Sequence, residues 1–229
     1  MSGSDSAALR EEICRVGQSL FARGYVHATA GNISVRLDDG GFLITPTDAC
    51  LGFLDPARLA QVDAGGRQVA GDRASKTLAL HRRIYDSATR FDAQTRCVIH
   101  THSTHCVALT LQAPSAPGDD RELLPALTPY FVMKVGHVPV IPYHRPGASE
   151  AAEQVAATIV RYGERGTPIH AVMLERLGPN VWHDTPAAAM ATLEELEETA
   201  RLHYLDGGRA APLGADRIDE LRTTFGARW

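Results

Sequence analysis

A short apolar run that ends in closely spaced histidines is the feature that most constrains this chain. The segment from Val98 to His105 reads V-I-H-T-H-S-T-H. Strand side chains alternate between two faces, so His100 and His102 lie on the same face of the strand. His105 falls on the other face and is expected to have a structural role. Neutral imidazoles are ligands for Zn²⁺ and related metals. The segment predicts a strand at 96–101 that presents two metal ligands, against the alternative of two ordinary histidines at a strand end.

Length and composition describe an ordinary globular chain. The 229 residues are 44% hydrophobic and 22% charged, which predicts one domain over residues 1–229. A net charge of −4 without a long basic run argues against nucleic acid as a partner, so an anionic ligand must be held locally. The four cysteines are scattered, and neither a signal-peptide pattern nor an apolar run of membrane-spanning length occurs. We expect a cytoplasmic protein with reduced thiols and no membrane partner.

Apolar periodicity predicts alternating helices and strands. The predicted helices cover residues 6–24, 74–86, 149–162, 185–204 and a terminal segment within 216–229. The predicted strands cover residues 31–36, 42–45, 96–101, 138–143 and 171–174. Residues 113–120, with two prolines and a glycine, are expected to form a loop. In the helix over 185–204 an acidic cluster that includes Glu194 and Glu197 is interpreted as mostly solvated.

A second group of residues is suited to holding an anion. Small residues and hydroxyls recur at predicted turns in Ala28 to Ser34, Thr45 to Asp48 and Ser75 to Thr77. Such turns expose backbone N–H groups, which together with Asn and Lys side chains form an anion cradle. Each turn alone is better explained by turn formation than by ligand binding. Their combination with the histidine pair favours a ligand site.

These motifs, in this order along the chain, resemble the class II aldolase/adducin family. The resemblance rests on G-N-I-S at 31–34, I-T-P-T at 44–47, S-K at 75–76 and H-T-H-S-T-H at 100–105. The stretches at 127–136, 143–147 and 193–200 are most similar to its 3-oxo-tetronate 4-phosphate decarboxylase branch. The family resemblance spans nearly the whole chain.

The resemblance implies a fold, a site and an assembly. The implied fold is α/β: a single three-layer α/β/α domain with a mainly antiparallel central sheet, assembled as a homotetramer with sites at subunit interfaces. His100 and His102 would bind a divalent metal, with Zn²⁺ expected and Mn²⁺ or Co²⁺ as alternatives. Tyr130 would reach a neighbouring subunit's site. The residues implied to line a substrate-phosphate pocket are Thr29, Gly31, Asn32, Thr47, Ser75 and Lys76.

The chain departs from the family pattern at two functional positions. Aldolases of this type have a glutamate base where this chain has Thr77, next to Lys76. The third metal histidine of the family falls at Leu177, which cannot bind metal. Glu175 and His183 are the candidate replacements, and no choice is made between them.

Three functions follow, in order of preference. The first is a metal-dependent carboxy-lyase that decarboxylates a 3-oxo-tetronate 4-phosphate to dihydroxyacetone phosphate and CO₂, with Lys76, Thr77 and Tyr130 as catalytic candidates. Decarboxylation needs an electron sink at the ketone rather than a strong base, which suits Thr77. The second is an aldolase or epimerase acting on a sugar phosphate. The third is a non-catalytic adducin-like scaffold with a degraded metal site, which Leu177 favours.

Overall fold

The fold is built on one twisted sheet with helices on both faces. The computed structural model describes residues 3–112 and 121–229, so the loop expected at 113–120 lies outside the described residues. Within that part of the chain eight strands form a sheet in the order β4-β3-β2-β1-β5-β8-β7-β6. The strands are β1 Asn32–Arg36, β2 Phe42–Ile44, β3 Ala60–Val62, β4 Gln68–Ala70, β5 Cys97–His100, β6 Val140–Ile141, β7 Ala171–Leu174 and β8 Gly178–His183.

In the described parts of the chain, six main helices accompany the sheet. They are α1 Gly3–Ala22, α2 Leu78–Ala88, α3 Thr104–Gln112, α4 Ser149–Glu164, α5 Pro186–Asp206 and α6 Ala215–Phe225. Short 3₁₀ turns cover Leu51–Phe53 and Pro56–Arg58, and a π-helical turn covers Phe131–Val135. Helix α5 begins after Thr185, whose side chain accepts a hydrogen bond from Ala188 N, and ends at Gly207 in the left-handed conformation.

Side-chain alternation divides the apolar residues into two cores. Ile33, Ile99 and Val181 pack with α1, α3 and α5 on one face of the sheet. Val98 and Trp182 pack with α2 and α4 on the other face. Neighbouring residues of one strand therefore serve different cores, as a period of two requires. The α/β class expected from the sequence is confirmed.

The expectation of a mainly antiparallel sheet needs correction at one edge, because the sheet is mixed. Strand β6 pairs in parallel with β7, whereas the other pairings are antiparallel. The segment between β6 and β7 contains α4, and a crossover through a helix is the usual way to bring two consecutive strands into parallel alignment. Periodicity finds the strands but not the direction in which they pair.

Most predicted elements are present, with shifted ends. The strand at 171–174 matches β7, and the predicted helix at 185–204 becomes Pro186–Asp206. The helix predicted at 74–86 begins only at Leu78, because the preceding residues form a turn beside the cavity described below. Strands β3, β4 and β8 and helix α3 were not predicted. His105 lies in α3 rather than on a strand, so its expected strand face was wrong.

Helix α3 was not predicted, and its N-terminus is stabilised by a residue that is far away in the sequence. Glu197 of α5, expected to be mostly solvated, is only 4% exposed. Its Oε1 accepts hydrogen bonds from His105 N and Nδ1, and its Oε2 accepts one from Cys106 N. A carboxylate that accepts from free N–H groups at a helix N-terminus stabilises that helix. A residue far away in the chain therefore satisfies N–H groups at the start of α3, which the local sequence does not reveal.

We expect Glu197→Gln to destabilise the protein by about 2 kcal/mol. The glutamine NH₂ group would replace one carboxylate oxygen and would face a backbone N–H donor inside the protein, so one buried hydrogen bond would be lost. Glu198→Gln is the matched control, since Glu198 is about half exposed and pairs only with Arg201 at the surface. Urea unfolding followed by circular dichroism measures both. Equal stabilities of the two variants would contradict the structural role of Glu197.

Candidate active site

One cavity of about 510 Å³ collects almost all the residues singled out in the sequence. It lies at the end of the sheet where β1 begins and β5 ends. Its walls include Thr29, Gly31, Asn32, Thr47, Ser75, Lys76, Thr77, His100 and His102. Tyr130 is not among the lining residues and its side chain is 63% exposed. Within a single chain, the structure brings the predicted site residues together except Tyr130 and the alternative metal ligand His183.

Backbone pairing outside the strands brings the three turn segments together. Thr47 N donates to Arg73 O, and Ser75 N donates to Thr45 O. Thr45 Oγ1 in turn accepts from Ile33 N at 3.2 Å. These bonds tie the segment after β2 to the turn before α2 and to β1. The hydroxyl-bearing segments are thus neighbours because of main-chain hydrogen bonds.

Gly31 is required where the chain enters β1. Its φ is +84°, and a Cβ there would lie 2.9 Å from His100 O and 2.7 Å from Val26 Cγ1. A side chain would therefore be strained and would also collide with the backbone of the histidine segment. The glycine allows Asn32 to pair directly with His100.

The hydroxyl of Thr77 forms the centre of a small network. Asn32 Nδ2 donates to Thr77 Oγ1 at 3.1 Å, and Ser75 Oγ lies 2.9 Å from the same atom. Asn32 is 7% exposed, and its Oδ1 is buried without a partner among the described residues. Because an unpaired buried polar atom costs free energy, this amide is suited to binding a ligand group.

The two histidines are placed to share a metal ion. The ring centroids of His100 and His102 are 5.1 Å apart. With metal–nitrogen bonds of about 2.0 Å, two imidazoles on one tetrahedral ion have centroids roughly 5.2 Å apart. His100 Nδ1 lies 3.0 Å from Pro179 O and donates to it, which leaves Nε2 as the metal-binding atom. The pair fits a divalent transition metal, for which it would supply two ligands.

Burial keeps these imidazoles neutral, as metal binding requires. Desolvation, aided by neighbouring His102, lowers the pKa of His100 to about 3. Desolvation, followed by the influence of His27, also lowers the pKa of His102. A neutral ring keeps the nitrogen lone pair that a cation needs.

The two candidates for a third ligand do not complete the site. The prediction of His183 as a ligand was wrong. The pairing of β8 with β5 sets His183 opposite Cys97, which is at the other end of β5 from His100, and His183 lies beside Asp184. Glu175 borders the cavity, but its Oε2 accepts a hydrogen bond from Tyr143 N. Within residues 3–112 and 121–229 no three His, Cys, Asp or Glu side chains stand in position to hold a metal.

Sequence reasoning missed several polar residues in or next to this site. His144 and Arg145 border the cavity from the turn between β6 and α4. His81 of α2 is fully buried, with Nδ1 2.8 Å from Ser34 Oγ, and Ser34 also contacts Tyr85 Oη at 2.8 Å. The short distance in sequence from Ser75 and Thr77 to His81 was a signal that His81 lies next to the site. The stretch at 143–147 was recognised as similar to the decarboxylase branch, but His144 and Arg145 were not assigned to the site.

Charges of both signs border the cavity. Lys76 and Arg145 are the cations, while Asp48 and Glu175 are the carboxylates. Anion binding therefore depends on where each group stands rather than on an overall positive field, as the sequence charge also suggested. None of the helices in the described parts of the chain is both long and apolar enough to cross a membrane.

Comparisons with known proteins agree with this geometry. The family model for the Class II Aldolase and Adducin N-terminal domain matches residues 11–204. The chain is 52% identical over 233 residues to the 3-oxo-tetronate 4-phosphate decarboxylase of Cupriavidus necator, covering 99% of this chain and 100% of the relative. It is 40% identical over 218 residues to the Escherichia coli K12 protein of that name, covering 94% and 96%.

Solved structures show the same fold. YgbL from Escherichia coli superposes with a TM-score of 0.81 at 38% identity, covering 95% of this chain and 99% of that one. L-fuculose-1-phosphate aldolase from Thermus thermophilus superposes with a TM-score of 0.69 at 27% identity, covering 90% and 98%.

The buried neutral state of His81 predicts how stability depends on pH. Desolvation, followed by nearby His100, lowers the His81 pKa from 6.5 to about 3. Above pH 6.5 both the folded and the unfolded forms are neutral and the group contributes nothing. Below pH 6.5 only the unfolded chain takes up the proton, so stability falls as pH decreases towards 3.

We expect His81→Gln to reduce this slope by roughly 1 kcal/mol per pH unit between pH 6.5 and 5, whatever its effect on stability at pH 8. The free energy of unfolding, measured by urea titration at several pH values, provides the slopes. Parallel slopes for the wild type and the variant would contradict the neutral state of His81.

Proposed function

The chain belongs to the class II aldolase and adducin family, and from this premise we propose that it is a metal-dependent carboxy-lyase. Its proposed reaction converts a 3-oxo-tetronate 4-phosphate to dihydroxyacetone phosphate and CO₂. The observation that carries the proposal is that a hydroxyl, amide and lysine cluster shares one cavity with a neutral histidine pair. The first group suits a phosphate and the second suits a metal that binds the ketone end.

The phosphate is assigned to the cluster around Thr77. Lys76 supplies the cation, while Thr29, Thr47 and Ser75 supply hydroxyls and Asn32 an amide along the same wall. Gly31 keeps the backbone close to the ligand, as its positive φ allows. Charge-assisted hydrogen bonds of this kind fix both the position and the orientation of a phosphorylated substrate.

The chemical step needs stabilisation of negative charge more than it needs a base. The C1–C2 bond breaks, CO₂ leaves, and the electron pair moves through C2–C3 to the ketone oxygen. A proton delivered to C2 then gives dihydroxyacetone phosphate. A divalent metal, for which His100 and His102 would be ligands, supplies Lewis-acid stabilisation of the ketone oxygen. Thr77 is engaged with Asn32 and Ser75, so its proposed role is to position the phosphate-binding groups.

Several finer assignments belong to the same proposal. Tyr130 or water is the proposed proton donor, and Tyr130 would act from a neighbouring subunit because it lies outside this chain's cavity. That assignment requires the homotetramer implied by the family. The proposed metal is Zn²⁺, with Mn²⁺ and Co²⁺ as alternatives. A single three-layer domain over residues 1–229 and a cytoplasmic location complete the proposal.

The first test is the reaction itself. We expect purified protein supplied with Zn²⁺, Mn²⁺ or Co²⁺ to release CO₂ and dihydroxyacetone phosphate in equal amounts from the substrate. Chelator-treated protein should release neither. Cleavage of a sugar phosphate without CO₂ release would favour the aldolase alternative. Absence of both activities and of metal binding would overturn the enzyme assignment and leave the scaffold alternative.

A second test uses the scarcity of lysine in this chain. Lys76 and Lys134 are its only two lysines, and both are exposed. We expect Lys76→Met to lower kcat/KM by about 10–100-fold and to weaken inhibition by inorganic phosphate, because a charged contact is lost. Lys134→Met is the matched control, since Lys134 lies in the π-helical turn outside the cavity, and it should stay within about twofold of the wild type. Equal effects of the two substitutions would contradict the assignment of Lys76.

A further inference from the structure

A third imidazole stands next to the histidine pair. The His27 ring centroid is 6.0 Å from that of His102, in an edge-to-face arrangement, and His102 is 5.1 Å from His100. His102 therefore lies next to both of the other rings. His27 precedes the segment of cavity-lining residues that begins at Thr29. The sequence motifs gave no reason to include His27.

The distances define how far His27 is from a ligand position. Two imidazoles on a tetrahedral Zn²⁺ have centroids roughly 5.2 Å apart, which His100 and His102 already satisfy. The His27–His102 separation exceeds this value by only about 1 Å. His27 is thus too far from His102 to share its ion as it stands, and its side chain would have to rotate towards the pair to do so.

The surroundings of His27 permit that rotation. Its side chain is exposed, so the ring is not enclosed by packed side chains. Its backbone is fixed, because Ala30 N donates to His27 O, Val26 is buried, and Ala28 has a positive φ of 48°. A non-glycine residue in this conformation is uncommon and is held only when the surrounding structure requires it. A fixed backbone that carries an exposed imidazole suits a ligand whose ring rotates onto a metal.

Two positions close to the histidine pair do not supply the third ligand that a metal site needs. Leu177 has no metal-binding atom, and the Thr77 hydroxyl is already hydrogen-bonded to Asn32 and Ser75. Catalytic zinc sites use about three protein ligands and leave one position open for substrate or water. Two imidazoles alone would hold the ion weakly.

We propose that His27 turns to supply the third imidazole of a His27–His100–His102 metal site, which leaves the fourth position open towards the cavity. This inference rests on the proposed function for the presence of a metal, and it moves the third ligand from the later strand to the loop before β1. The site would take a transition metal with nitrogen affinity, such as Zn²⁺ or Co²⁺.

Metal affinity, measured without substrate, tests the inference. Competition with a chromophoric chelator gives the Zn²⁺ affinity of the wild type, His27→Ala and His27→Gln, with His183→Ala as a control that removes a histidine distant from the pair. We expect both His27 variants to bind Zn²⁺ roughly 100-fold more weakly than the wild type, and the control to match the wild type. Circular dichroism verifies that each variant is folded.

Cobalt provides an independent readout of the ligand set. With Co²⁺ bound, the intensity of the visible d–d bands reports the coordination number, and we expect these bands to weaken in the His27 variants as water replaces a nitrogen ligand. Zn²⁺ affinity and Co²⁺ spectra unchanged by His27→Ala would overturn the inference, as would a wild-type protein that binds neither ion. Tight, His27-dependent metal binding without CO₂ release would instead overturn only the decarboxylase proposal.

Discussion

The arrangement of the site depends on the close approach of three strands at one end of the sheet. Asn32 of β1 and Asn180 of β8 both pair directly with His100 of β5. Glycines on both sides of the histidine segment make this approach possible: a Cβ on Gly178 would lie 1.9 Å from Thr101 O, and one on Gly31 would lie 2.9 Å from His100 O. Backbone contact between strands, rather than side-chain packing, therefore fixes where the imidazoles of His100 and His102 stand.

A second constraint acts just beyond the histidines. Glu197 accepts from the N-terminal turn of α3, so the chain leaves β5 and enters α3 along a path set by α5. His102 lies between these two fixed points, His100 in the sheet and His105 in α3. A segment anchored at both ends needs no regular structure of its own to hold a ligand. This explains how His102 lies close to His100 although β5 has already ended.

The sequence predicted much of this arrangement, for identifiable reasons. The family resemblance, carried by the order of the motifs, implied that Asn32, Ser75, Lys76 and His100 belong to one site, and the turn positions of these motifs agreed with it. Periodicity found the long helices, whose apolar faces are local signals. It missed α3, whose N-terminus depends on Glu197, and the parallel pairing of β6 with β7, because both are set by residues distant in the chain. His27 was missed for the same reason, because only the fold brings its ring close to that of His102.

The residue at position 77 links the phosphate site to the choice of reaction. Thr77 Oγ1 lies within hydrogen-bond distance of both Asn32 Nδ2 and Ser75 Oγ, two groups assigned to the phosphate. A carboxylate there would take the same donors and would place a negative charge beside the phosphate and Lys76. It would also supply a base, which an aldol cleavage requires and a decarboxylation does not. Threonine keeps the donors in place without that charge, so the same substitution that removes a base also favours binding of an anionic keto-acid.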